Sequence, residues 1–253
     1  METTVCTQNS ANNISTDFGL SEDDKNALNH PWYLSRAECV LSVLKNRKLR
    51  NLADIGARSM FYTKRFKAFV DGDIYAVDIL FPEGETLIDD IKCINDIKNL
   101  PENEIDCAVM MDVLEHIEDD TTFFNAVVDK LKNGGTILIT VPAFQFLFSN
   151  HDLRAQHYRR YGRKQLMRLL KRNDIKIETC HYFYTSLFFA CILSFLKKEK
   201  SSYKSNKWNY SKNHFLTIFF KALLNLDFAI NRILAKTFIR LPGLSLIAVC
   251  KKI

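Results

Sequence analysis

The sequence lacks the cysteine patterns that mark zinc-binding or disulfide-rich proteins. Its seven cysteines include no Cys-x-x-Cys pair, and none lies at zinc-finger spacing from a histidine. Several of them fall within apolar runs, which is typical of small buried side chains in a reducing compartment. No other cluster of metal-ligand residues is apparent, so the sequence predicts no metal site.

Long apolar segments and a strong charge imbalance are missing as well. The apolar run at 187–196 is too short to cross a bilayer, and the polar N-terminus lacks the apolar segment of a secretory signal. A formal net charge of +6 over 253 residues does not by itself favour nucleic-acid binding. We therefore expect a cytoplasmic protein that does not bind nucleic acid.

The chain divides into a polar arm and one folded domain. Residues 1–29 are rich in Asn, Ser, Thr and Asp, which predicts a mobile arm. Over residues 30–253, predicted strands alternate with helices at 52–55, 74–77, 93–94, 106–111, 136–141, 175–179 and 244–249. This alternation predicts an α/β fold, with a mostly parallel seven-stranded sheet and helices on both faces. The last strand is a candidate for antiparallel pairing at the sheet edge.

An apolar insertion, at about residues 183–240, separates the last two predicted strands. The run 187–196 and the pattern at 215–239 predict two helices, and the charged residues within the second speak against a transmembrane segment. Three interpretations remain open for this pair. It can cap the core, contact a membrane surface or a lipid-linked substrate, or form a homodimer interface.

Acidic residues follow four successive predicted strands. They are Asp54, Asp78, Asp96 and Asp112. Ligands of open α/β sheets bind beyond the carboxyl ends of the strands, and a carboxylate accepts two hydrogen bonds from a vicinal diol. These positions predict a ligand with ribose hydroxyls and an amino group. The Gly-x-Gly-x-x-Gly signature is absent, which speaks against a dinucleotide oxidoreductase.

Two longer stretches carry a resemblance to a known family. They are residues 105–117, Ile-Asp-Cys-Ala-Val-Met-Met-Asp-Val-Leu-Glu-His-Ile, and 131–142, Leu-Lys-Asn-Gly-Gly-Thr-Ile-Leu-Ile-Thr-Val-Pro. Together with shorter matches between residues 30 and 246, they resemble class I S-adenosylmethionine-dependent methyltransferases. They also resemble a bacterial subgroup often associated with surface-glycan and lipid-linked sugar pathways. The resemblance implies a Rossmann-like fold, S-adenosylmethionine as cofactor, and methyl transfer to a small or lipid-linked, sugar-type acceptor.

The same resemblance implies roles for the strand-end residues. Asp54 and Gly56 would belong to the cofactor loop, and Asp78 would hold the ribose hydroxyls. Asp96 would approach the adenine amino group, and Asp112 would lie under the methionine end of the cofactor.

The glycine loop itself is degenerate. The family pattern is Asp-x-Gly-x-Gly-x-Gly, whereas this chain reads Asp-Ile-Gly-Ala-Arg-Ser-Met, with Arg58 and Met60 in place of glycines. We expect Arg58 to bind the cofactor by pairing with its carboxylate. Weak binding and a vestigial site are the alternatives, and the last would make the protein a non-catalytic binding or scaffolding module.

A basic, aromatic segment after the fifth predicted strand supplies the substrate candidates. His151, Arg159, Arg160 and Tyr161 suit a phosphate-bearing or sugar substrate. Methyl transfer to a hydroxyl needs a base, and the catalytic candidates are His116 and His157. For each of these residues a purely structural role is the alternative.

Overall fold

The computed structural model describes residues 29–196, 214–237 and 239–253. The predicted mobile arm lies outside these ranges except for Asn29, as does the polar stretch between the two helices of the insertion. The elements of the described part are α1 (Pro31–Leu44), β1 (Leu52–Ile55), α2 (Phe61–Phe66), β2 (Ile74–Val77), β3 (Glu85–Ile88), β4 (Ile91–Ile94), β5 (Ile105–Met111), α3 (Asp120–Lys130), β6 (Leu131–Pro142), α4 (Asn150–Arg154), α5 (Arg163–Leu169), β7 (Ile175–Phe183), α6 (Thr185–Leu196), α7 (His214–Leu234) and β8 (Ser245–Lys252).

These strands form a mixed sheet in the order β3-β4-β2-β1-β5-β6-β8-β7. The five strands from β4 to β6 in this order are parallel, and they read as continuous apolar runs because both of their faces are covered. The predicted seven-stranded sheet is wrong in one detail, since an eighth strand, β3, pairs antiparallel with β4. The last strand is antiparallel as expected, but it lies between β6 and β7, so β7 forms the edge.

Helices cover both faces of the sheet, as predicted. On one face, Phe124 of α3 and Leu166 of α5 pack on the strands. On the other face, Val40 of α1, Phe66 of α2 and Phe228 of α7 do the same. In this Rossmann-like topology, the carboxyl ends of the parallel strands lie at one edge of the sheet, where loops follow the strands.

The insertion folds as the two predicted helices, and α7 is amphipathic. Its inner side contributes Leu224 and Phe228 to the core, whereas nine large apolar side chains from Phe215 to Ile233 are exposed. The buried Asp227 carboxylate accepts hydrogen bonds from the backbone N–H groups of Thr185 and Ser186 at the start of α6. Within the described residues, neither of these helices, nor any other, has the length and apolarity needed to span a bilayer.

Candidate active site

A cavity of about 1080 Å³ opens at the carboxyl ends of β1, β2, β4 and β5. Its walls include seven of the predicted site residues: Gly56, Arg58, Asp78, Asp96, Asp112, His116 and His157. Ligand sites of folded proteins usually occupy roughly 300–1,000 Å³. The strand order thus brings together residues that lie up to about a hundred positions apart in the sequence.

The loop after β1 keeps a glycine-like path although two of its glycines are replaced. Gly56 has φ +78°, and a Cβ there would lie 2.6 Å from Cγ2 of Val113. Met60 also adopts a left-handed conformation, with φ 53°. The Met60 side chain is fully buried, where it fills space beneath the loop instead of narrowing the cavity.

Two of the strand-end carboxylates organise the loops around the cavity. Asp78, directly after β2, accepts hydrogen bonds from the backbone N–H groups of Arg58 (2.9 Å) and Leu80 (3.0 Å). It therefore ties the β1 loop to the β2 loop, and lone pairs remain for further donors. Asp96, after β4, accepts from the N–H of Lys98 at 2.9 Å and caps a short 3₁₀ turn.

Asp112, after β5, is held by a buried arginine. The Arg36 guanidinium of α1 donates to Oδ1 of Asp112 at 2.5 Å, and its other contacts are the hydroxyls of Thr140 and Ser245. Burial is the largest single influence on Arg36 and would lower its pKa. The Asp112 carboxylate and the other acidic groups around the guanidinium together raise that pKa, so the guanidinium stays charged. The Asp112 side chain remains 36% exposed, and its position is fixed toward the cavity.

Asp54 does not line the cavity, contrary to its expected place in the cofactor loop. Its carboxylate is buried behind the loop and accepts a 2.5 Å hydrogen bond from the hydroxyl of Thr63 in α2. The pKa of Asp54 is raised to about 7, mainly by burial. The Thr63 hydrogen bond lowers this pKa, and the nearby Asp78 charge raises it further. Asp54 therefore links the loop to α2, and its influence on a ligand in the cavity is through the position of the loop.

Three titratable side chains meet at the cavity, those of Glu115, His116 and His157. The rings of His116 and His157 lie edge to face with centroids 4.5 Å apart. Burial lowers the pKa of His116, and the neighbouring His157 lowers it further. Beside them, the fully buried Glu115 has its pKa raised, first by burial and then by the Asp112 charge.

The predicted substrate residues have internal partners instead. Asp152 is fully buried, and its carboxylate accepts two hydrogen bonds from Arg160 and lies 3.0 Å from Nδ1 of His157. Burial would raise the pKa of Asp152, but these bonds together lower it below the usual range. Arg159 donates to Asp120 and the carbonyl of Glu118.

Tyr161 and His151 are likewise away from the cavity. The Tyr161 side chain is completely buried, and its hydroxyl bonds to the Leu114 carbonyl and to Asp120. Binding of substrate by Arg159, Arg160 or Tyr161 is therefore not supported, because their polar atoms hold the 149–161 segment in place. His151 is exposed on α4 and does not line the cavity. Gln156 and Tyr158 of the same segment do line it.

The comparison with known families shows which family the chain belongs to. A family model described as a methyltransferase domain matches residues 33–179, which is more than half of the chain. The chain belongs to this methyltransferase family. Its cofactor is S-adenosylmethionine, and its reaction class is methyl transfer. No curated protein sequence matches the chain.

Solved methyltransferase structures share its fold at low identity. A chain from the complex between the Haloferax volcanii Trm112 methyltransferase activator and the methyltransferase has a TM-score of 0.56 and 13% identity, and covers 91% of this chain and 92% of that one. Geranyl diphosphate methyltransferase with bound S-adenosylmethionine gives 0.53 and 9%, with coverage of 86% and 84%. Haemonchus contortus phosphoethanolamine N-methyltransferase 2 gives 0.51 and 14%, with coverage of 95% and 60%.

The residues of this methyltransferase fit its cofactor. The absence of a side chain at Gly56 leaves backbone accessible at the loop, and Asp78 has acceptor capacity for a diol. The Arg58 guanidinium, which has no hydrogen-bond partner within the described ranges, is available to a carboxylate at the mouth of the same loop. When bound, the cofactor supplies the electrophilic methyl group.

Sequence reasoning missed Arg36, Glu115 and Asp152. A signal existed for Arg36, which lies four and eight residues before the core residues Val40 and Leu44 and hence on the same helix face. Glu115 lies inside the strongest family motif, but nothing local marks its burial. The partners of Asp152 include His157 and Arg160, which follow α4 in the chain. Sequence spacing alone does not reveal that these side chains meet.

Proposed function

We propose that the protein methylates a hydroxyl group of a small or lipid-linked, sugar-type acceptor. In this proposal Gly56, Arg58, Asp78, Asp96 and Asp112 hold the cofactor along one wall of the cavity. The acceptor enters beside the opposite wall, near His116 and His157. Methyl transfer requires the acceptor oxygen to lie in line with the methyl group, which two facing walls of one cavity allow.

The two histidines are the candidate bases for this reaction. A general base must be neutral before it takes a proton, and the lowered pKa of His116 keeps this ring neutral at pH 7. His157 has one nitrogen directed to the buried Asp152 carboxylate, so that its other nitrogen is available at the cavity. Either ring is placed to accept the proton that an acceptor hydroxyl loses on methylation.

The observation that carries the lipid-linked part is the exposed apolar face of α7. Phe215, Leu226 and Ile233 are 79%, 58% and 65% exposed, and Phe189 of α6 adds to the same kind of surface. Exposed apolar area on this scale is typical of a membrane or partner contact. Peripheral contact at the inner face of a membrane would bring a lipid-linked acceptor to the protein, whereas a homodimer is the competing use of the face.

Co-sedimentation with anionic vesicles tests the membrane contact. We expect the protein to bind vesicles at low salt and to be released by high salt. The double variant Phe215→Ser/Phe219→Ser should bind at least tenfold more weakly, because burial of each Phe side chain contributes about 1.5–3 kcal/mol. Leu87→Ser, an exposed apolar residue on β3, is the matched control. Wild-type protein that stays in the supernatant at low salt and dimerises in analytical ultracentrifugation would favour the homodimer.

A non-catalytic binding or scaffolding module is the second candidate. The replacement of two loop glycines by Arg58 and Met60 favours it, because the family uses those positions for close cofactor approach. The left-handed conformation retained at Met60 favours the enzyme instead. A cofactor titration separates the two.

A further inference from the structure

Three potential metal ligands converge at the cavity, two of them in its lining and the third buried behind it. One carboxylate oxygen of Glu115 and one ring nitrogen from each of His116 and His157 lie within 4.8 Å of one another. Glu115 and His116 are neighbours in the short 3₁₀ turn after β5, whereas His157 comes from the segment after α4. Two separate parts of the chain thus direct donor atoms to one point.

The Glu115 carboxylate is the observation that calls for a ligand. Its side chain is fully buried, and neither oxygen has a hydrogen-bond partner among the described residues. The positive charges that act on this carboxylate belong to Arg36 and Arg160, which hydrogen-bond to Asp112 and Asp152 and not to Glu115. A buried carboxylate in this condition is disfavoured unless a cation or a proton compensates it.

His157 is oriented in the way that metal-bound histidines usually are. Its Nδ1 lies 3.0 Å from Oδ1 of Asp152, which directs Nε2 away from that carboxylate. Asp152 is itself fixed by Arg160 and by the hydroxyl and N–H groups of Ser149. A carboxylate behind a histidine fixes the tautomer and the ring orientation for an ion on the other side.

We propose that Glu115, His116 and His157 bind a divalent transition-metal ion whose open coordination positions face the cavity. Two imidazole nitrogens and one carboxylate suit Zn²⁺ or Mn²⁺, whereas Mg²⁺ prefers oxygen ligands. Donor atoms about 2.0–2.2 Å from a zinc ion lie closer together than 4.8 Å. The proposal therefore requires the His116 ring, which is exposed, to move toward the other two donors when the ion binds.

An ion at this position changes the part that the two histidines play. Bound to it, neither ring would act as a general base. The ion would instead act as a Lewis acid on the acceptor hydroxyl and lower its pKa, so that the proton leaves to water before the oxygen takes the methyl group. This consequence rests on the proposed methyl transfer, but the metal site itself does not.

Metal binding by full-length, untagged protein tests the site. Chelator-treated wild type is dialysed against Zn²⁺, and bound zinc per chain is measured, with S-adenosylhomocysteine binding measured in parallel. We expect one zinc ion per chain and at least tenfold weaker zinc affinity in Glu115→Gln and His116→Ala. The control His151→Ala, an exposed histidine of α4, keeps wild-type affinity, and millimolar Mg²⁺ does not displace the zinc.

The two arms separate this proposal from the proposed function. Absence of stoichiometric zinc, or equal affinity in wild type and His116→Ala, would overturn the metal site. Zinc binding without S-adenosylhomocysteine binding would instead count against the methyltransferase function alone. If Glu115→Gln loses both ligands through misfolding, His116→Ala decides, because its side chain is exposed and its removal leaves the core intact.

Discussion

At the scale of single residues, Met60 holds a left-handed conformation that glycine adopts more readily. For a residue with a side chain, this conformation costs about 1–2 kcal/mol. The same side chain is completely buried and lies 3.5 Å from the thiol of Cys93. Its packing is what stabilises the unusual backbone.

Met60→Gly tests which effect is larger. Truncating a buried methionine costs about 2–5 kcal/mol, which exceeds the relief of backbone strain. We expect the variant to lower the free energy of unfolding by about 1–4 kcal/mol in urea denaturation. Met60→Leu keeps the volume and should lose less than about 1.5 kcal/mol. Unchanged or higher stability of the glycine variant would show that strain dominates at this position.

Asp54 makes stability depend on pH in an unusual direction. Burial raises its pKa in the folded protein to about 7, so the folded state binds this proton more tightly than the unfolded chain does. Its contribution to stability is therefore fully present below the unfolded pKa, and it is lost as pH rises through about 7.

Asp54→Asn removes this titration and keeps an acceptor for Thr63. We expect the variant to gain roughly 4 kcal/mol over wild type at pH 8, and little or nothing at pH 4. Denaturation curves at several pH values measure the difference, with Asp71→Asn, an exposed substitution, as control. A gain that does not vary between pH 4 and pH 8 would contradict this account of Asp54.

At the scale of elements, Asp227 joins the two helices of the insertion. It accepts from two N–H groups at the start of α6 at 2.9 and 2.7 Å, and from the amide of Asn231 at 2.8 Å. Asp227→Ala should destabilise the protein by about 2–3 kcal/mol, because the N–H groups are left unpaired. Glu38→Ala removes the solvent-exposed contacts of α1 with Lys221 and Asn225 of α7 and should cost less than about 1 kcal/mol. Equal effects of the two substitutions in urea denaturation would argue against this role.

Elements were predictable where apolar periodicity is strong. The strand predicted at 106–111 and the insertion helices predicted at 187–196 and 215–239 begin within a residue or two of their predicted positions, because long apolar patterns are specific. Strand β3 was not predicted because Glu85–Ile88 is short and mostly exposed. Only its pairing with β4 identifies it as a strand. Antiparallel β8 was anticipated, but its insertion inside the sheet is a tertiary property that no local pattern encodes.

At the scale of the whole molecule, the sheet topology decides which of the predicted site residues lie together at one cavity. Residues at strand ends, such as Asp78 and Asp112, were identifiable because the carboxyl ends of parallel strands meet at one edge. Charge and aromaticity at Arg159 and Tyr161 suggest substrate binding, whereas in the fold both side chains hydrogen-bond to Asp120. Sequence patterns locate backbone positions well, and side-chain partners from distant segments poorly.

The central claim is that the altered loop still binds the cofactor, and calorimetric titration with S-adenosylhomocysteine tests it most directly. We predict one site per wild-type chain, weaker binding by Arg58→Gly because the guanidinium pairs with the ligand carboxylate, and a loss of about 1.5–3 kcal/mol in Asp78→Ala. Absence of binding by wild type, or tighter binding by Arg58→Gly, would contradict the account and indicate a fold that has lost its chemistry.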